Sequence, residues 1–167
     1  MSRGFVKEDD QEEVPMVAPR AFLPPGVPNY VTRTGLEALL TEREALLKEK
    51  EDLRITTEKE RRLAVNHIHA RLKLLDERIA SAKPIDPGSP PPAEVKFGAS
   101  VTIRLVKTGE AQTIQIVGVD EADVPRGKIS FISPLARALI NKKPGEKAVW
   151  KVPGEERVFE ILEITYR

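Results

Sequence analysis

The sequence contains no cysteine, which excludes a disulfide framework, a cysteine-ligated zinc site and a thiolate nucleophile. Aromatic residues make up only 5% of the chain. This low content disfavours a proline-binding pocket, because such a pocket needs a dense aromatic lining. No long apolar run is present, so we predict neither a transmembrane helix nor a secretory signal. These absences favour a cytoplasmic protein.

The charge of the chain is nearly balanced. Its formal net charge of +1 over 167 residues lacks the bulk basicity of proteins that coat DNA. We therefore expect neither sequence-specific DNA nor a membrane as a partner, and we expect charge to act locally. The length allows one compact domain with an appendage.

Two apolar repeats with helical spacing occupy residues 30–83. The more regular repeat comprises Val65, Ile68, Leu72, Leu75, Ile79 and Ala82. The weaker one comprises Leu36, Leu39, Leu46 and Leu53, with Leu40 and Leu47 beside them. In the weaker repeat, Arg43 and Lys50 occupy two of the expected apolar positions. A short link between two such helices forces them antiparallel, so we predict a coiled-coil hairpin.

Local signals predict where these helices begin and end. Thr32 or Thr34 can cap the first helix, and Pro84 stops the second. Thr57 and Glu60 have the spacing of a capping box, which predicts that the hairpin turns at residues 55–58.

Two proline-rich stretches flank the hairpin. Residues 1–29 combine acidic runs with several prolines, and we predict a disordered or docked tail. Residues 84–94 contain the run PGSPPP, which cannot continue a helix and predicts a linker.

Residues 95–167 change to the alternating pattern of strands. Val101 to Leu105 alternate in polarity, and further strand-like runs surround Ile114, Ile129 and residues 158–166. Ser133 and Pro134 predict the start of a short helix that ends at Asn141. We predict an α+β fold, in which one helix packs on a mostly antiparallel sheet.

Several stretches occur in an order and spacing that chance rarely produces. They are residues 32–37, 95–99, 116–123, 130–139 and 159–166. Residues 130–139, with the sequence SFISPLARAL, are the most specific. The stretches resemble the GreA/GreB family of bacterial transcript-cleavage factors, and the resemblance covers nearly everything after the tail.

The resemblance implies an accessory factor without a catalytic centre or cofactor of its own. In that family an FKBP-like sheet domain docks at the rim of the secondary channel of RNA polymerase. The coiled coil enters the channel, and carboxylates at its tip hold the second magnesium ion of the polymerase active site. Carboxylates suit magnesium, and a bound metal makes water a stronger nucleophile. Backtracked RNA is then cleaved by the polymerase itself.

The tip of the hairpin departs from the family pattern. The family motif reads Asp-Leu-Lys-Glu-Asn or Asp-Arg-Ser-Glu-Asn, whereas Asp52 here opens Asp-Leu-Arg-Ile-Thr. The hairpin is also about two heptads shorter in total, which removes roughly 10 Å of reach. Asp52, Glu58 and Glu60 are our candidate carboxylates for the shared magnesium. The alternative is that Glu58 and Glu60 only stabilise a helix end.

Two further groups of residues match functional surfaces of the family. The RNA-facing candidates are Arg61, Arg62, Arg71 and Lys73, which could contact phosphates without reading sequence. The polymerase-docking candidates are Asp120, Glu121, Ser133, Pro134 and Arg137. Each group has a structural alternative, since coil faces are often merely solvated and helix caps serve folding.

The predicted function is that of a monomeric factor that binds bacterial RNA polymerase and modulates elongation, with nascent RNA as an indirect partner. Whether it stimulates cleavage or only occupies the channel stays open. The alternatives are an FKBP-like prolyl isomerase and a coiled-coil adaptor unrelated to polymerase. Fold alone does not favour the isomerase, and the charged seam positions disfavour a self-associating adaptor.

Overall fold

The computed structural model describes residues 14–167, so the acidic runs predicted to lie in the tail fall outside the described residues. The elements, in chain order, are β1 (Asn29–Val31), α1 (Arg33–Glu51), α2 (Glu58–Ser81), β2 (Ala82–Pro84), β3 (Ser100–Leu105), β4 (Ala111–Val117), a 3-10 turn (Val124–Arg126), β5 (Lys128–Ser130), α3 (Pro134–Leu139), β6 (Lys147–Val152) and β7 (Glu155–Thr165). The α+β class is as predicted.

Helices α1 and α2 pack side by side and run in opposite directions. Arg43 donates to Asp76 at 2.7 Å, and Arg71 donates to Glu49 at 3.3 Å, so the numbering rises along α1 as it falls along α2. The buried residues between them are Leu39, Leu46, Ile68, Leu72 and Leu75, all from the predicted repeats. Leu40, which lies beside the weaker repeat in the sequence, is 44% exposed.

The ends of the two helices differ from the prediction in detail. Thr32 caps α1, and its hydroxyl accepts a hydrogen bond from the Gly35 amide at 2.9 Å. The helices are joined by residues 52–57, with Asp52 as the C-cap of α1. Thr57 does occupy the N-cap of α2, but its side chain makes no capping hydrogen bond. The predicted capping box is therefore wrong, because this exposed end leaves its amides to water.

A short parallel pair of strands that the sequence did not predict joins the start of α1 to the end of α2. This end is the base of the helix pair, and residues 52–57 form its tip. β1 pairs with β2, with Asn29 opposite Ala82 and Val31 opposite Pro84. Helix α2 therefore ends at Ser81, before Pro84. The buried Asn29 amide donates to the carbonyl of Arg78 at 3.0 Å and occupies one of the free carbonyls at the end of α2.

The C-terminal half forms a five-stranded sheet in the order β5-β4-β3-β7-β6. Neighbouring strands are antiparallel, except that β4 and β5 are parallel. Its core contains Val101, Ile103, Ile116, Leu139, Phe159 and Ile161. The mostly antiparallel sheet was predicted, and the parallel pair was not.

Helix α3 begins where the sequence predicted but ends earlier. Ser133 Oγ accepts from the Ala136 amide at 3.2 Å, and Pro134 occupies the first turn. The helix stops at Leu139 rather than at Asn141, which adopts a left-handed conformation with φ 69°. The helix has already ended one residue earlier, since the C-cap Ile140 has an extended ψ of 137°. Asparagine tolerates the left-handed conformation that follows better than most residues.

Candidate functional site

The end of the helix pair that carries residues 52–57 presents the predicted tip carboxylates to solvent. Asp52, Glu58 and Glu60 are all exposed, and Glu58 and Glu60 lie in the first turn of α2. At the helical rise, the 19 residues of α1 span about 28 Å from base to tip. Within residues 14–167, no group of three or more His, Cys, Asp or Glu side chains could hold a metal ion.

The predicted RNA-facing residues of α2 divide into two kinds. Arg61, Arg62 and Lys73 are exposed, whereas Arg71 is partly buried and paired with Glu49 of α1. Within the described residues, only Arg71 of these four cations forms an ion pair with α1. The other three are exposed to solvent.

The predicted docking residues of the sheet domain lie in two places. Ser133 caps α3, while Pro134 and Arg137 are exposed on that helix. Asp120 and Glu121 instead lie at the base of the helix pair. Ser133 and the two acidic residues therefore all have demonstrable structural roles, and docking by the set stays a prediction.

Glu121 connects the sheet domain to the first turn of α1. Its carboxylate accepts the hydroxyl hydrogen of Thr32, the residue that caps this helix. A Cβ on Gly35 would lie 2.7 Å from Glu121 Oε1, so the carboxylate sits directly over the helix end. A negative charge is favourable at this position because the free amides of a helix N-terminus carry partial positive charge.

Asp120 lies between two arginines from different parts of the chain. Its side chain is only 8% exposed, and Oδ1 accepts from Arg20 Nε at 3.0 Å. Oδ2 lies 3.5 Å from Arg78 Nε, near the end of α2. The aspartate therefore joins the sheet domain both to the N-terminal segment and to the second helix.

Arg20 is a contact residue that the sequence analysis missed. Its two terminal nitrogens bind both carboxylate oxygens of Glu42 on α1, at 2.8 and 3.1 Å, while Nε binds Asp120. Hydrogen bonding to Glu42 is the largest cause of the raised pKa of Arg20; burial opposes it, and Asp120 adds to it. A lone arginine in a proline-rich stretch gives no periodic signal.

An aromatic group closes the junction between the helix pair and the sheet domain. Tyr30 of β1 lies 5.9 Å from Phe97 and 5.4 Å from Phe131, measured between ring centroids. Phe97 and Phe131 meet edge to face at 5.6 Å. Such arrangements add to the energy of apolar burial. The sequence analysis did not recognise Tyr30 as a partner of the two phenylalanines.

None of the helices within residues 14–167 is long and apolar enough to cross a membrane.

The C-terminal part of the chain has recognisable relatives. Residues 90–166 match the family described as Transcription elongation factor, GreA/GreB, C-term. Transcription elongation factor GreA of Hyphomonas neptunium is 45% identical over 100 residues, which span 60% of this chain and 64% of the relative. The same factor of Halorhodospira halophila is 43% identical over 100 residues, spanning 59% and 63%. The chain thus spans just under two thirds of the length of these relatives.

Solved structures show a weaker likeness. The GreA factor homolog 1 (Gfh1) of Thermus thermophilus is 22% identical with a TM-score of 0.40, covering 81% of this chain and 97% of that one. The elongation factor GreA/GreB from Nitrosomonas europaea is 22% identical with a TM-score of 0.42, covering 82% and 98%. The similarity to the GreA/GreB family therefore rests on the sequence relatives. Residues 90–166 of this chain match the C-terminal part of that family.

Proposed function

We propose that this chain binds bacterial RNA polymerase at the secondary channel and modulates transcription elongation. The observation that carries the proposal is the 45% identity of 100 residues to a protein named transcription elongation factor GreA. As an accessory factor, it acts through the active site of the polymerase and needs no cofactor of its own. The prolyl isomerase and adaptor alternatives have no support among the named relatives. This function places the protein in the cytoplasm as a monomer.

The proposal assigns a task to each region. Residues 95–167 form an FKBP-like domain that docks on polymerase, residues 30–83 form a coiled-coil hairpin that enters the channel, and residues 84–94 link them. Residues 1–29 are the tail. The exposure of Pro134 and Arg137 on α3 is compatible with docking.

The chemistry at the tip depends on carboxylates that reach the polymerase-held magnesium. Asp52, Glu58 and Glu60 are exposed at the end of the helices that would enter the channel. Magnesium bound there would lower the pKa of a coordinated water. Arg61 and Arg62 lie beside the acidic side chains, and nearby positive charge weakens cation binding. We therefore favour channel occupancy over efficient cleavage.

The basic residues of α2 suit a contact with RNA phosphates. Arg61, Arg62, Arg71 and Lys73 lie along α2, where phosphates of a backtracked RNA would pass. Their contact would be electrostatic and independent of sequence, so it would weaken as salt is raised.

The deciding experiment uses backtracked elongation complexes of a bacterial RNA polymerase. Binding of the protein and release of the RNA 3′ fragment are followed for the wild type and for Glu58→Ala/Glu60→Ala. The matched control is Glu37→Ala/Glu44→Ala, which removes two exposed glutamates from α1 away from the tip. Release that only the tip variant loses identifies a cleavage factor. Binding without release identifies a channel-occupying regulator, and absence of binding overturns the proposal.

A further inference from the structure

Residues 14–28 lie at the base of the helix pair, where Arg20 joins three parts of the molecule. The Arg20 guanidinium binds Glu42 on α1 through two hydrogen bonds and Asp120 on the sheet domain through a third. A forked guanidinium suits this task because its five donors have fixed directions. One side chain thus spans the gap between the helix pair and the sheet.

The burial of this cluster separates it from ordinary surface ion pairs. The side chains of Arg20, Arg78 and Asp120 are 19%, 14% and 8% exposed, respectively, while the outer member, Glu42, is 41% exposed. Exposed pairs contribute little because solvent screens them, whereas removing one member of a buried cluster leaves a charge without compensation. Two arginines face two carboxylates here, so the cluster is neutral as a unit.

The position of Glu42 along α1 determines what the cluster can do. Glu121 already holds the start of α1 through Thr32, ten residues before Glu42. At the helical rise, the two attachment points are about 15 Å apart along the helix. A single attachment at a helix end allows the helix to pivot, whereas a second one farther along fixes the direction of its axis.

Arg78 closes the same arrangement from α2. It donates to the backbone carbonyl of Ala21, the residue next to Arg20, and approaches Asp120 at 3.5 Å. The N-terminal segment is therefore held by both helices and by the sheet domain. Contacts between domains of one chain ordinarily permit relative motion unless they are extensive, so a buried ionic brace at this place restricts that motion.

We propose that Arg20 is a positioning residue, and that residues 14–28 act as a strap that sets the direction of the helix pair relative to the sheet domain. The strap acts on residues 52–57, which lie far from the base and are displaced most by a small rotation there. Its value for polymerase rests on the proposed function, but the orientation itself does not.

The test measures orientation in the isolated protein. Because the chain has no cysteine, Lys59→Cys at the tip and Lys143→Cys in the sheet domain accept one spin label each, and both positions are exposed. Electron–electron double resonance gives the distribution of distances between them. In an Arg20→Ala background we expect this distribution to broaden by about twofold or more, because α1 loses its attachment at Glu42, away from its N-terminus.

The matched control is Arg43→Ala, which removes an ion pair between α1 and α2 without touching the sheet domain. It should leave the width unchanged. Arg20→Lys should give an intermediate width, because an ammonium cannot hold both carboxylates in the fork geometry. A distribution as narrow in Arg20→Ala as in the wild type overturns the proposal.

Circular dichroism and urea unfolding establish that each labelled variant is folded. If Arg20→Ala does not fold, Glu42→Gln provides the same test with a side chain of equal size and no charge, and an unchanged width there also overturns the proposal. No polymerase is present in these measurements. Failure of the strap and failure of polymerase binding are therefore separate outcomes.

Discussion

Gly118 lies against the backbone of Tyr30, at the contact between the helix pair and the sheet domain. A Cβ on Gly118 would come within 2.5 Å of the Tyr30 carbonyl oxygen. Backbone atoms cannot rotate away as a side chain does, so any larger residue must push the two parts of the molecule apart. This approach places Tyr30 beside Phe97 and Phe131.

Gly118→Ala should lower the free energy of unfolding by about 1–3 kcal/mol, the usual cost of overpacking. Urea unfolding of the full chain measures this cost. Gly35→Ala is the comparison, because its new methyl group would meet the flexible end of the Glu121 side chain. A cost for Gly118→Ala no larger than that for Gly35→Ala would contradict the close contact.

Thr32→Ala should cost about 1–2 kcal/mol of unfolding free energy, because Thr32 both caps α1 and donates to Glu121. Thr32→Ser keeps the hydroxyl and should cost much less. The same urea titration compares the two. Equal losses in both variants would show that the methyl group, rather than the hydroxyl, stabilises this helix start.

Ile161→Ala should destabilise the sheet domain by about 2–5 kcal/mol, since it opens a cavity in the core. Ile161 is 0% exposed, whereas its neighbour Leu162 is 38% exposed. Leu162→Ala is therefore the matched control, and its cost should be clearly smaller. Fluorescence of Trp150, the single tryptophan, reports unfolding of this sheet. Similar losses of unfolding free energy in both variants would contradict the burial of Ile161 in the core.

The stability of the protein should fall as the pH rises above about 10, the ordinary pKa of tyrosine. Burial raises the pKa of Tyr166, against the opposing effects of Lys96. The folded state therefore keeps a proton that the unfolded chain has already lost, and stability declines between the unfolded and folded pKa values. Below pH 10 this contribution is fully present.

Absorbance titration of a Tyr30→Phe variant isolates Tyr166, because the chain contains only two tyrosines. Urea unfolding at several alkaline pH values then checks the linkage. Tyr166→Phe should decline less steeply than the parent over the same range. An unshifted titration of Tyr166 would contradict its burial against the backbone of Glu94 and Lys96.

The elements with short-range signals were predictable from the sequence. Ile68, Leu72 and Leu75 repeat at helical spacing and are buried against α1, and Ser133 followed by Pro134 does begin α3. Each of these signals needs only a few neighbouring residues, so it survives without knowledge of the fold. The end of α3 was placed two residues too late, because the chain leaves the helical conformation at Ile140, before the left-handed Asn141 that marked the end in the sequence.

The junction had no such signal. Arg20 and Asp120 are 100 positions apart, and neither stands in a periodic pattern. Strands β1 and β2 have three residues each, too few for alternation to be visible. Gly118 shows its role only when the backbone of Tyr30 is in place. Contacts of this kind depend on how two folded parts meet, which propensity and spacing do not specify.

The pairing of β1 with β2 joins the two ends of the segment that contains both helices. The chain leaves β1 after Val31 and returns in β2, where Ala82 lies opposite Asn29 and Pro84 lies opposite Val31. A heptad inserted on each side of residues 52–57 would lengthen both helices by about 10 Å without altering the strand pairing. The length of the helix pair is therefore independent of its attachment to the rest of the molecule. Evolution or design can change the distance that residues 52–57 reach while that attachment stays the same.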